Sequence, residues 1–168
     1  MAGDILSQQA TSAAFTITLT GLATSSTKVA GRESTAIATD ANDYLDYIVS
    51  GNITTGTNPT ISKTIDVYAY GVINDTPTYP VNITGTDAAA SMASENQRNS
   101  ALNIFHTIFV DSTSDRTYSI KPMAISPVFG GVLPTDIGLW VVHDTAVNLN
   151  ATATNHTLQY TGVYARYT

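Results

Sequence analysis

The stretch GLWVVHDTAVNLNATATNHTLQYTGVYARYT, residues 138–168, carries the reading that decides the fold. Two apolar runs, 139–142 and 158–167, flank a polar segment of Asn, Thr and Ala, the pattern of two strands joined by a long connection. Gly138 and Gly162 punctuate the runs, and Trp140, Tyr160, Tyr164 and Tyr167 bring large aromatic area for a core or an interface. Trp140 is expected in the core or a subunit interface rather than in a pocket. His143, which follows it, has no partner that the sequence names.

Working outward, composition agrees with a β protein. Hydrophobic residues make up 43% of the 168, an ordinary globular share, whereas charged residues are only 12%. Thr is the commonest residue, and its branched Cβ suits a pleated, half-wet surface better than a helix. A chain of this length buries about 70% of its unfolded surface, so neither a metal nor a disulfide is needed as a staple. With no cysteine, disulfide and thiol chemistry are excluded, which fits synthesis in the cytosol.

Strand signals recur along the rest of the chain. FTITLTG (15–21) alternates strictly, with Phe15, Ile17 and Leu19 on one face and threonines on the other, and predicts a half-buried strand. YLDYIVSG (44–51) sets Leu45, Tyr47 and Val49 against Tyr44, Asp46 and Ile48. ISKTIDVYAYG (61–71) sets Ile65, Val67 and Ala69 inward and Asp66, Tyr68 and Tyr70 outward. ALNIFHTIFV (101–110) is apolar on both faces, so it is expected to be a central strand or one whose second face a partner covers. Counting 15–20, 34–39, 44–50, 61–70, 102–110, 116–121, 139–143 and 158–167 gives about eight strands. An edge strand at 81–83 is a further expectation. DAAASMASENQRNS (87–100), Ala-rich and led by Thr86 and Asp87 as caps, predicts one short helix. PMAISPVFGGVLP (122–134), with three prolines, predicts a structured loop.

Eight short strands with long, uneven connections point to an all-β, single-domain, jelly-roll-like antiparallel β-sandwich. Its domain spans 14–168. Residues 1–13, small and polar apart from Ile5 and Leu6, are expected to be a mobile arm that orders against a neighbour. MAGDILSQQA (1–10) has no basic start and no apolar segment, so it is not expected to be a signal peptide.

Motifs for chemistry are missing. There is no G-x-S-x-G elbow, P-loop, dinucleotide fingerprint or H-E-x-x-H, and no catalytic residue, cofactor site or metal site is assigned. His106, His143 and His156 form no H-x-H pair and are expected to be hydrogen-bonded packing residues. Asp40, Asn42, Asp43 and Asp46 begin like a calcium loop, but Tyr44 and Leu45 fall where an EF-hand needs an oxygen donor and a glycine. A solvated turn is the expectation there, with an irregular calcium site as the alternative. Five N-x-T triplets, at Asn52, Asn74, Asn82, Asn150 and Asn155, are expected by chance in so Thr-rich a chain.

Charge narrows the partners. Three Lys and four Arg against eleven Asp and two Glu give a net charge of −6 with no basic cluster, which disfavours nucleic acid and anionic membranes. No apolar run approaches the twenty residues that span a bilayer. Tyr, nine against five Phe and Trp together, joins apolar area to a polar tip and suits interfaces and sugar platforms. Tyr68 and Tyr70, two apart on an outward face, are the candidate exposed pair. With Ile5, Leu6 and Trp140 they complete the set of candidate interface residues.

The terminal pattern, G-L-W-V-V-H-D, then Asn/Thr-rich residues, then L-x-Y-x-G-V-Y, resembles small virion proteins of tailed bacteriophages. The alternating Thr strand and YLDYIVSGNITTGTNP fit the same style. Among these, the chain looks most like a capsid decoration (cement) protein. The resemblance implies a non-enzymatic β-sandwich homotrimer, made in the host cytoplasm, that sits on the outside of the capsid, binds the major capsid protein and stabilises the shell. Phage tail and fibre proteins share the style. A fibre jelly roll binding a host glycan, or a tail or connector subunit, is therefore the alternative expectation.

Overall fold

Two antiparallel sheets face each other in a computed structural model that describes residues 5–42, 44–74 and 76–167. The strands are β1 (Ile5–Gln9), β2 (Ala13–Ala14), β3 (Ala30–Glu33), β4 (Ile37–Ala38), β5 (Asp46–Thr54), β6 (Thr64–Gly71), β7 (Ala88–Ser91), β8 (Asn103–Phe109), β9 (Thr117–Ala124), β10 (Asp136–His143) and β11 (Thr157–Tyr167), with one helix, α1 (Glu95–Ala101). The first sheet runs β1-β11-β5-β9, with β2 continuing β1 along β11; the second runs β7-β3-β10-β6-β8, with β4 continuing β3 along β10. Taking each continued pair as one interrupted strand and setting β7 aside leaves eight strands. In chain order they fall 1-8-3-6 in one sheet and 2-7-4-5 in the other, which is jelly-roll order.

Two apolar clusters fix the sheets. Between them lie Tyr47, Val49, Ile53, Ile65, Val67, Ala69, Leu139 and Val141 with their neighbours. The second cluster, Tyr68, Tyr70, Ile83, Ala90, Met92, Leu102, Trp140 and Val142, lies on the far side of β6 and β10. It is roofed by the connection 72–102 that joins β6 to β8. Both faces of β6 and β10 are therefore buried, and their side chains are buried almost without a break.

Several local expectations are corrected. Residues 15–20 keep the expected alternation, with Phe15 and Leu19 buried, but form no ladder. The segment crosses between sheets instead: Phe15 N–H donates to Leu158 O, while Thr16 O accepts from Thr35 N–H. Burial with period two needs only an extended chain beside a core. The expected strand 34–39 is split, because Leu139 N–H donates to Ser34 Oγ (3.0 Å) within the ladder. The expected helix 87–100 shrinks to α1, capped by Ser94. Its Ala-rich first half is β7, where Ala90 O accepts from Trp140 Nε1 (3.2 Å), so tertiary pairing overrides helix propensity. Residues 81–83 turn and do not pair. Residues 122–124 lie in β9 rather than a loop; Pro122 falls where the β5–β9 register slips, the place an edge strand tolerates proline. β8 is an edge strand, not a central one. Residues 5–9 of the expected arm lie along β11 as β1.

Candidate interaction surfaces

Polar side chains inside the fold are engaged in holding it together. His143, fully buried, donates from Nε2 to Leu22 O (2.9 Å) and has Nδ1 2.9 Å from Thr145 Oγ1. Burial holds its pKa below the usual imidazole value. His156 donates to Asn150 O (2.8 Å) and accepts from Thr54 N–H. His106, half-buried on β8, is also held low, by burial and then by Lys121. The acidic segment divides: Asp40 and Asn42 lie in a 3-10 turn, and Asp46 accepts from Ser126 N–H (3.0 Å) and Ser126 Oγ (2.7 Å), tying β5 to the 126–129 turn. Asp43 lies outside the described residues. Among the described residues, no three His, Asp or Glu side chains gather as a metal site would require.

The roof over the second sheet has its own fastenings. Glu33, wholly buried, accepts Thr84 N–H (2.9 Å), Thr84 Oγ1 (2.9 Å) and Gly85 N–H (3.0 Å). Gly85 has φ +72°, and a Cβ there would overlap the Tyr79 ring, so glycine alone fits the turn that meets this carboxylate. At the other end Arg98 donates to Lys28 O (2.7 Å) and lies 5.3 Å from the centre of the Tyr68 ring. Lys28 in turn reaches Asp66 (2.8 Å), and Lys63 reaches Asp144 (3.3 Å).

These fastenings settle the sequence candidates. Tyr68 and Tyr70 do point away from the inter-sheet core, but the roof covers them at 7% and 0% exposure, so the expectation of an exposed pair is corrected. Tyr70 OH donates to Ser34 O (2.6 Å), and burial pushes its pKa far above the usual phenol value. Trp140 is fully buried beside Tyr68, ring centres 5.6 Å apart. Ile5 and Leu6 are at the surface, 74% and 46% exposed.

Of the exposed large apolar side chains, Ile5, Leu6, Ile104 and Phe109 lie at sheet edges, and Leu45, Ile61, Ile73, Val81 and Val132 lie in connections. β11 pairs with β5 only as far as Val163, whereas its pairing with β1 runs on from Gln8↔Tyr164 to Ile5↔Tyr167. Residues 5–8 and 164–167 thus form a two-stranded ribbon beyond the body of the sheet. β8 exposes Ile104 and Phe109 (50% and 74%) on the strip that the roof leaves uncovered. Beside it runs a groove of about 450 Å³ bordered by Asp66, Tyr68, Leu102, Ile104 and Thr107. The four sheet edges differ in protection. β7 is four residues long and next to Asp87, and β9 carries Lys121, Pro122 and a bulge. β1 (ILSQQ) and β8 (NIFHTIF) carry neither Lys, Asp, Glu nor Pro, although β8, like β9, has a register slip, at Phe105 between His106 and Ile104.

A second opening lies at the seam between β2 and β4. Tyr44, Tyr47 and Tyr160 line a cleft of about 350 Å³, rimmed by Ala13, Ala38, Thr11 and Asn42. The rings stack edge to face, Tyr44–Tyr47 at 5.4 Å and Tyr47–Tyr160 at 5.6 Å. Sequence reasoning missed this set because Tyr160 is far along the chain from Tyr44 and Tyr47, and only β5–β11 pairing unites them.

No family model and no curated protein sequence matches this chain.

Proposed function

We propose that the protein is a non-enzymatic assembly subunit that associates with itself and decorates the outside of a phage capsid, stabilising it by binding the major capsid protein. The observation that carries this reading is the pair of edge strands without Lys, Asp, Glu or Pro, β1 and β8, with Ile5, Leu6, Ile104 and Phe109 exposed on them. Large apolar side chains grouped on open strand edges mark contact surfaces in soluble proteins. Jelly-roll order supports the reading, being shared by viral capsid and lectin domains, though fold alone fixes no function. On a symmetric shell, modest contacts add through avidity, so a low-charge surface suffices. The test is co-sedimentation with expanded capsids. Saturable binding that raises their resistance to heat is expected; capsids left unbound and unchanged would overturn the proposal.

A second reading, a fibre-type module binding a host glycan, is favoured by the tyrosine cleft. Aromatic faces with hydroxyl tips and a neighbouring Asn suit a saccharide. That reading predicts ligand-observed NMR contact with host-surface saccharides, lost in Tyr44→Ala, and no effect of the protein on capsid stability.

A further inference from the structure

We propose that copies of this chain join head to tail, the β1 edge of one adding to the β8 edge of the next, and so close a ring. The inference rests on the assembly reading and names its contact.

Two deficits on one chain match each other. The ribbon of 5–8 and 164–167 is a two-stranded element whose β1 edge has no partner among the described residues, and such ribbons gain stability in water from a third strand or a packed face. Among the described residues β8 pairs only with β6, so its other edge is open there, and the turn at 126–129 stands beside only part of it. An added strand there would place alternate side chains over the groove between Tyr68, Leu102 and Thr107, where Ile104 already presents apolar surface. Ile5 and Leu6 supply apolar side chains of the right kind. Neither strand carries Lys, Arg, Asp or Glu, and the one carboxylate bordering the groove, Asp66, is already paired with Lys28 (2.8 Å).

Position argues for a second copy of this chain as the occupant. β1 ends the first sheet on the side away from β9, while β8 ends the second sheet on the side beside β9. The two open edges thus lie on opposite flanks of the sandwich. A heterologous contact of this kind leaves one edge of each type free after every addition, and only ring closure uses them all. With the two edges on opposite flanks, two rigid copies cannot meet at both, so the smallest ring has three copies.

The experiment is light scattering on the purified protein and two surface variants, Ile5→Lys/Leu6→Lys and Ile104→Lys/Phe109→Lys. Wild type should have three times the 17.7 kDa chain mass. Each variant alone should fall to a single chain mass, with thermal unfolding showing that each still folds. An equal mixture of the two should give twice the chain mass, because each variant keeps the edge that the other has lost. A monomeric wild type would overturn the proposal, as would a variant that stays oligomeric alone or a mixture that stays monomeric. Capsid co-sedimentation by wild type separates the two ideas. Binding with unaltered oligomers in both variants sinks the contact and spares the function, and complementation without capsid binding does the reverse.

Discussion

The two outer faces of the sandwich come from strands of similar length and are treated oppositely. The face of β6 and β10 carries Tyr68, Tyr70, Trp140 and Val142, and the chain's own connection 72–102 covers it. The face of β5, β9 and β11 carries Asn52, Thr117, Ser119, Thr157 and Gln159, and nothing among the described residues lies over it. Its polar groups bond sideways, Ser119 Oγ to Asn52 Oδ1 at 2.7 Å and Ser12 Oγ to Thr161 Oγ1 at 2.7 Å. The difference teaches that period-two polarity along a strand reports what covers each face and not whether the strand pairs. β11 alternates because water wets one side; β6 does not because both sides are dry.

The largest effect should come from emptying the roofed face. Trp140→Ala should cost about 3–5 kcal/mol in denaturant unfolding, the range for removing a buried aromatic. Next is the fastening of the roof. Glu33→Ala leaves buried donors at Thr84 and Gly85 without their acceptor and should cost about 2–4 kcal/mol. In that variant hydrogen exchange should quicken across 84–102 before it does in β11; uniform quickening would mean that the roof is not a separate fastening. Gly138→Ala should cost about 1–3 kcal/mol, because a Cβ there would overlap the Tyr70 ring across the ladder. Ser119→Ala, on the bare face, should stay within about 0.5 kcal/mol.

Acid should act on the ion pairs where the roofed sheet meets Lys28. Burial by itself pushes the Asp144 carboxyl up, but Thr64 N–H, Lys28 and Lys63 together hold it below the usual carboxylate value. A carboxyl held low in the folded state adds stability above its unfolded value, near pH 4. That stability is lost as pH falls through the folded value. Unfolding followed against pH should show Asp144→Asn losing less stability than wild type below about pH 4; parallel curves would exclude this pair. At the alkaline end, burial first, then Tyr160, Tyr44 and Asp40, push Tyr47 up to about 12. Its contribution is present below the ordinary phenol value near 10 and is lost as pH rises toward 12.

The sheets were legible in the chain where side-chain pattern and pairing coincide. β10 and β11 lie where 139–143 and 158–167 placed them, and the all-β sandwich agrees with Thr content and turn spacing, whereas of the eight expected strands 15–20 does not pair and 34–39 is split. Tertiary partners decided the rest. Ala88–Ser91 is helical by propensity and strand by its contact with Gly31 and Trp140. Tyr68 and Tyr70 are outward by alternation and buried by a connection whose course no local pattern records. The tyrosine cleft and the flanking positions of β1 and β8 depend on strand order, which arises from long-range pairing such as Ile5↔Tyr167 and Thr64↔Phe109.

The central proposal, an assembly subunit on a capsid exterior, is tested most directly by a reconstruction of phage particles prepared with this protein. The account predicts jelly-roll density on the outer capsid surface, in rings whose neighbours meet near β1 and β8. Density confined to the tail, connector or fibre would contradict it.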